Sequence, residues 1–156
     1  MDTMQLLKAT EYPEIKQIVS QRDAILYALG IGLGDDPLDL KQLKYVYEKE
    51  LEVFPTMATT LCYPGSLEAR PGVARVDLRK TLHVFQGFEL LNPIPLDRTL
   101  IGRTKITDVF GKGAKRGILW TYENQIHDEL GALICTLHGA SMCLVGGGRR
   151  RACRSI

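Results

Sequence analysis

The strongest constraint on this chain is a change of period near Thr81. Before it, apolar residues recur at helical spacing; after it, they fall into four strand-length runs. Residues 81–91 read Thr-Leu-His-Val-Phe-Gln-Gly-Phe-Glu-Leu-Leu and stop at Asn92-Pro93-Ile94-Pro95, where neither proline can donate a ladder bond. Residues 99–110 form a second candidate strand and 116–127 a third. In the third, Ile118, Trp120, Tyr122 and Ile126 share one face, while Glu123, Gln125 and His127 share the other. Asp128-Glu129-Leu130-Gly131 supplies a turn into a long run over 132–145, whose small and apolar residues on both sides suit a central strand. Helices first and strands afterwards specify an α+β domain with a mainly antiparallel sheet.

The first half carries the helical signals. Ser20 can cap a helix over 21–29, Asp23 favours its positive first turn, and Gly30, Gly32 and Gly34 make continuation costly, so a short buried helix and a Gly-rich loop are expected. Leu40, Leu43, Tyr47 and Leu51 share one face of a second helical stretch over 39–51. Pro55-Thr56 opens a third through Leu61, since proline is tolerated in a first turn. Residues 64–75, with two prolines and two glycines and no period, read as a loop.

The 156 residues can bury one core without staples, which predicts a single domain over 1–148. Arg149, Arg150, Arg151 and Arg154 make 149–156 a basic tail, expected to be disordered; the remaining 16 basic and 18 acidic groups leave the domain at −2. A nucleic-acid footprint on the domain is therefore not expected. Cys62, Cys135, Cys143 and Cys153 form no Cys-x-x-Cys pair and have no histidine at zinc-finger spacing, so free thiols in a reducing intracellular compartment are expected and a metal site is not. No run of about 18 apolar residues exists to cross a membrane, and no apolar leader follows the N-terminus. Gly30-Ile-Gly-Leu-Gly34 follows a helix instead of a strand and does not read as a dinucleotide loop. No Gly-x-Ser-x-Gly elbow is present.

Three blocks resemble the N-terminal half of the MaoC-like (R)-specific 2-enoyl-CoA hydratases. The first is Asp23-Ala-Ile-Leu-Tyr-Ala-Leu-Gly-Ile-Gly-Leu-Gly34, then Leu43-Lys-Tyr-Val-Tyr-Glu48 and Phe54-Pro-Thr56. The second runs from Leu82-His-Val-Phe-Gln86 through Glu89-Leu90 to Pro93-Ile-Pro95, with Val84 and Phe85 standing where the family has Gly-Glu. The third is the strand exit Leu144-Val-Gly-Gly-Gly148. The resemblance spans roughly residues 18–148. It implies a hot-dog fold, an antiparallel sheet wrapped around a central helix. It also implies two such units per active molecule, the first making room for the acyl chain and the second carrying the chemistry.

Hydration of a trans-2-enoyl thioester needs a base for water, an acid for the carbon beside the carbonyl, and donors for the thioester oxygen. The family places the acid and base in a Gly-Asp-x-Asn-Pro-Leu-His motif of the second unit. Here Gly34-Asp35-Asp36-Pro37-Leu38-Asp39 lacks the Asn, is one residue short, and has Asp39 where the His would fall. Asp35 thus reads more readily as a loop carboxylate than as a catalytic one, and no catalytic residue is assigned. The resemblance implies substrate-binding roles for His83, Gln86, Tyr47 and Met57, and for the backbone of Gly146, Gly147 and Gly148 near the coenzyme. Three of these side chains have a structural alternative: His83 as a satisfied sheet histidine, Tyr47 and Met57 as core. His127 and His138 read as surface or cross-strand residues. The expected function is (R)-specific 2-enoyl-CoA hydratase or its acyl-CoA-accommodating half, with a non-catalytic acyl-CoA-binding subunit beside a separate catalytic chain as the alternative. Coenzyme A enters as substrate thioester, with no other cofactor and no metal. A homodimer or hot-dog heterodimer and a cytoplasmic or peroxisomal location complete the expectation.

Overall fold

The computed structural model describes residues 2–65, 76–113 and 116–144. Most of the predicted loop, the Gly146–Gly148 stretch, Cys153 and the basic tail lie outside the described residues. Helix α1 (Thr3–Lys8) and strand β1 (Ile15–Ile18) lead into α2 (Gln21–Gly30), α3 (Leu40–Val46) and a 3-10 helix at Pro55–Thr60. A second 3-10 turn, Leu78–Lys80, precedes β2 (Thr81–Leu90), β3 (Thr99–Gly111), β4 (Ile118–Asp128) and β5 (Leu133–Cys143). The strands make one antiparallel sheet in the order β1-β3-β4-β5-β2. This is the α+β arrangement expected from the order of helices and strands; the long run expected at a central position is β5, an interior strand between β4 and the edge strand β2, while β4 holds the middle of the sheet. The short helix α1 and strand β1 had no counterpart in the sequence reading. β1 is four residues long and completes one edge by pairing with β3 from Ile15↔Gly102 to Ile18↔Thr99.

Ser20 caps α2 as expected. Its Oγ accepts from Asp23 N–H at 3.2 Å, and Asp23 Oδ2 accepts from Ser20 N–H at 3.1 Å, a reciprocal capping box. The helix is not buried all round: Ala24 and Ala28 face the core, whereas Leu26 and Leu29 are more than half exposed. The small buried pair lets the helix approach closely, and Tyr27 ties it to the 3-10 segment by donating to Thr56 Oγ1 at 3.0 Å. The helical stretch expected over 39–51 ends at Val46, capped at its start by Asp39. Tyr47 turns extended, Glu52 N–H closes back on the Lys44 carbonyl at 2.7 Å, and Glu50 takes φ 59°. That reversal brings Leu51 to the core while leaving Leu40 and Tyr47 75% and 53% exposed, so the expected shared apolar face is split.

Two apolar clusters cover one face of the sheet. The larger joins Ala24, Met57, Ala58 and Leu61 to Leu100, Ile126 and Cys135. The smaller gathers Leu7 of α1 and Val76 on Trp120. Between them the sheet face is not filled by either cluster, and the candidate site lies there.

Candidate functional site

The site is built from rows of residues across the sheet. Antiparallel register aligns Trp120, Ser141 and His83 in one row, Tyr122, Gly139 and Gln86 in the next, and Asn124 and Leu137 in a third. His83 and Gln86 are three apart, so in a regular strand they would point to opposite faces. A bulge between His83 and Phe85 inserts Val84, and this returns both side chains to the same face. A second bulge, between Ile106 and Asp108, does the same for Ile106 and Val109 on β3.

Two glycines allow close approach. A Cβ at Gly139 would overlap the Tyr122 ring, so its absence lets Tyr122 lie flat across β5 and reach Gln86, where Tyr122 Oη donates to Oε1 over a long 3.4 Å. A Cβ at Gly102 would overlap the Cys62 Cβ and stand 3.2 Å from the Cys62 carbonyl oxygen. The segment after the 3-10 helix therefore comes down onto the sheet at Gly102. It is held there by Cys62 N–H donating to Gln17 Oε1 at 2.7 Å and by Asn124 Nδ2 donating to the Cys62 carbonyl at 3.3 Å. Burial pushes the Cys62 thiol up to about 11 and, together with the neighbouring Cys62, does the same to Cys135, so neither is a thiolate nucleophile near neutral pH.

Sheet and covering segment border a partly open cavity of about 370 Å³. Leu61, Tyr63 and Thr59 of the covering segment line it together with Thr81, His83 and Gln86. Trp120, Tyr122, Asn124 and Leu137 make the floor. His83 is the one imidazole among the described lining residues, which include no carboxylate, lysine or arginine. A second hollow of about 540 Å³ lies beyond Leu90, lined by Tyr45, Val53 and Leu96. Glu52, the one charged residue among its described lining residues, is bound by Lys44 at 2.8 Å. The first cavity joins apolar walls to several convergent polar groups, the usual make-up of a small-molecule site.

The structure thus brings His83 and Gln86 together on one cavity. It does not bring Tyr47 or Met57 there: Tyr47 stands exposed at the end of α3, and Met57 is buried in the larger core cluster. Gly146, Gly147 and Gly148 fall outside the described residues. Asp35 is exposed in the loop after α2, Asp36 Oδ1 accepts from Leu38 N–H at 2.9 Å, and Asp39 caps α3, so the Gly34–Asp39 string serves a turn and a helix start away from the cavity. His127 and His138 do not line it either. The sequence reading missed Asn124, Tyr122, Thr104 and Ser141. The alternation of β4 was a usable signal for Tyr122 and Asn124, but cross-strand register was needed to assemble them.

Comparison with known proteins places this geometry. The family model for the MFE-2 hydratase 2 N-terminal domain matches residues 17–146. The chain is 31% identical over 150 residues to the peroxisomal enoyl-CoA hydratase 2 of Arabidopsis thaliana, covering 92% of this chain and 48% of that protein. Among solved structures, the MaoC-like dehydratase of Phytophthora capsici superposes with a TM-score of 0.71 at 24% identity, over 97% of this chain and 52% of that one. The ChsH1–ChsH2 complex of Mycobacterium tuberculosis gives a TM-score of 0.66 at 12% identity, over 94% of this chain and 90% of that one. These neighbours share the hot-dog fold, and the chain spans about half or less of the length of the curated relatives it matches. The chain therefore belongs to the MFE-2 hydratase 2 N-terminal domain family, as a MaoC-like hot-dog domain.

Proposed function

We propose that this chain is the acyl-CoA-accommodating half of an (R)-specific 2-enoyl-CoA hydratase, acting with a second hot-dog domain that carries the acid and base. The observation that supports it most directly is the cavity itself, a roofed hollow on the sheet face of a domain from a hydratase family, with one imidazole and no carboxylate in its described lining. Holding the acyl group there would fix the thioester relative to the partner's catalytic groups and exclude water from the chain, a positioning contribution to the rate. A second copy of this chain would bring the same Gly34–Asp39 string, without its histidine, so the partner is a different hot-dog domain. That the matched curated relatives are about twice this length or more, and that one structural neighbour is a complex of two named proteins, supports this partnership. The peroxisomal location carried by the Arabidopsis relative extends to this chain as part of the proposal.

The partner-facing surface is the edge strand β2. Its outward side chains Leu82, Val84 and Phe85 are 54%, 55% and 55% exposed, and an unpaired apolar edge is what a stable monomer ordinarily avoids. Two measurements test the reading. Decanoyl-CoA is expected to change the fluorescence of Trp120, the one tryptophan of the chain and part of the cavity floor. Crotonyl-CoA hydration is expected only after addition of a hot-dog chain with the intact Gly-Asp-x-Asn-Pro-Leu-His motif. Absence of any acyl-CoA binding overturns the proposal; turnover by this chain alone would return the catalysis to its own residues.

A further inference from the structure

The face of the sheet turned away from the cavity is apolar at one end. On the inner side Val109, Ile118, Trp120 and Cys143 belong to the smaller cluster, so the residues that alternate with them point outward. Register sets four of these in one row, Phe110, Leu119, Met142 and Leu82, across β3, β4, β5 and β2. The ladders then continue by one residue. Lys112 N–H donates to the Gly117 carbonyl at 2.8 Å and Leu144 N–H to the Lys80 carbonyl at 2.9 Å, so the next outward row reads Lys112, Gly117, Leu144, Lys80. Leu82, Phe110 and Leu144 are 54%, 44% and 39% exposed, and Lys112 Nζ stands 5.5 Å from the centre of the Phe110 ring. Arg116 adds a cation in the β3–β4 turn, where its N–H donates to the Gly113 carbonyl at 3.1 Å. Asp77 is shared by Arg79 and Lys80 at 3.3 and 3.9 Å, and Asp108 stands one row towards the middle of the sheet. Lys112 and Arg116 have no carboxylate partner among the described residues.

We propose that this end of the outer face docks on an anionic phospholipid bilayer. Phe110, Leu144 and Leu82 enter the boundary between headgroups and acyl chains, while Lys112, Arg116 and Lys80 meet the lipid phosphates, so apolar burial and charge attraction act together. A second copy of this face would set the same cations against one another, which opposes self-association. A protein anchor would need a hollow to fill, and neither of the two cavities described above is lined by any of these side chains. A fluid interface needs only protruding apolar groups with cations beside them. The inference goes beyond the acyl-binding reading and stands without it. Leu82 also belongs to the edge assigned to the hot-dog partner, but Phe110, Lys112 and Arg116 lie on β3 and its turn, so mutation separates the two surfaces.

The test sediments the full chain with vesicles of phosphatidylcholine and with vesicles of equal parts phosphatidylcholine and phosphatidylserine. Binding is expected to the second kind alone and to weaken as salt is raised. Lys112→Gln/Arg116→Gln is expected to weaken it about thirtyfold, the equivalent of about 1 kcal/mol for each cation. Phe110→Ser is expected to weaken it about fivefold, the scale of burying the exposed part of one phenyl ring. If Phe110→Ser does not fold, as read by circular dichroism, the charge variant in the exposed turn still decides. Absence of binding to the phosphatidylserine vesicles, or equal binding to both kinds, overturns the proposal. Unchanged binding in Lys112→Gln/Arg116→Gln overturns it by assigning attachment to the arginines beyond residue 148. Release from the vesicles by saturating coenzyme A overturns it by assigning the cations to the thioester's own phosphates. A concentration-dependent dimer that Phe110→Ser disperses overturns it in favour of a second copy of the chain.

Discussion

Gly139→Ala is the most direct probe of how this sheet makes its site. The added methyl would overlap the Tyr122 ring, so the ring must leave β5 and swing towards the cavity, breaking its long bond to Gln86. Overpacking of this kind costs about 1–3 kcal/mol, and loss of glycine's unfolded-state freedom returns about 0.4–1 kcal/mol. The net expectation is a destabilisation of about 1–2 kcal/mol, or a fall in Tm of roughly 3–6 °C for a domain of this size. Because the clash is with one movable side chain, it is relieved by removing that side chain. A double-mutant cycle with Tyr122→Ala, followed by urea denaturation, therefore predicts that the two substitutions together cost at least about 1 kcal/mol less than the sum of their separate effects. Additivity within about 0.5 kcal/mol would refute the close approach of Tyr122 to Gly139. The same displaced ring is expected to weaken decanoyl-CoA binding in Gly139→Ala, measured by Trp120 fluorescence.

Gly102→Ala meets the Cys62 backbone and Cβ instead of a mobile ring, so a larger loss of about 3 kcal/mol is expected in thermal denaturation. Ser20→Ala removes the cap of α2 and is expected to cost about 1 kcal/mol by urea unfolding, a loss that Ser20→Thr largely avoids. For Cys62 and Cys135 the folded pKa, about 11, lies above the ordinary thiol value, so the native state holds its proton longer than the unfolded chain. Their contribution is complete below about pH 9 and is lost as pH rises towards 11, by at most about 2–3 kcal/mol per thiol. Stability measured from pH 8 to 11 should decline less steeply in Cys62→Ala/Cys135→Ala than in the parent protein. Phe85→Lys on the outer face of β2 is expected to abolish pairing with a motif-bearing hot-dog chain in size-exclusion chromatography while changing monomer stability by no more than about 0.5 kcal/mol.

What could be read along the chain was whatever depends on neighbours in sequence. Ser20 and Asp23 announced α2 because a cap involves residues three apart. Pro93 and Pro95 ended β2 because a missing N–H acts locally. The alternation of β4 separated Trp120 and Ile126 from Glu123 and Gln125 for the same reason. The stretch after Asp39 was harder, since its apolar spacing suits a helix while the turn around Glu50 diverts Leu51 to the core. β1 is so short that only its pairing with β3 makes it a strand.

The cavity belongs to the tertiary structure. His83 and Gln86 share a face because a bulge shifts the register by one residue, and the pairing with β5 reveals where the extra residue sits. Gly102 and Gly139 look unremarkable in sequence, yet each is the place where something distant, the Cys62 segment or the Tyr122 ring, comes to rest. Asn124 reads as one more polar residue in an alternating strand until the Cys62 carbonyl, 62 positions away, turns its amide and leaves Oδ1 buried. The elements themselves were determined by caps, prolines and periodicity, which act over a few residues; the site was decided by register and close packing, which join residues that the chain keeps far apart.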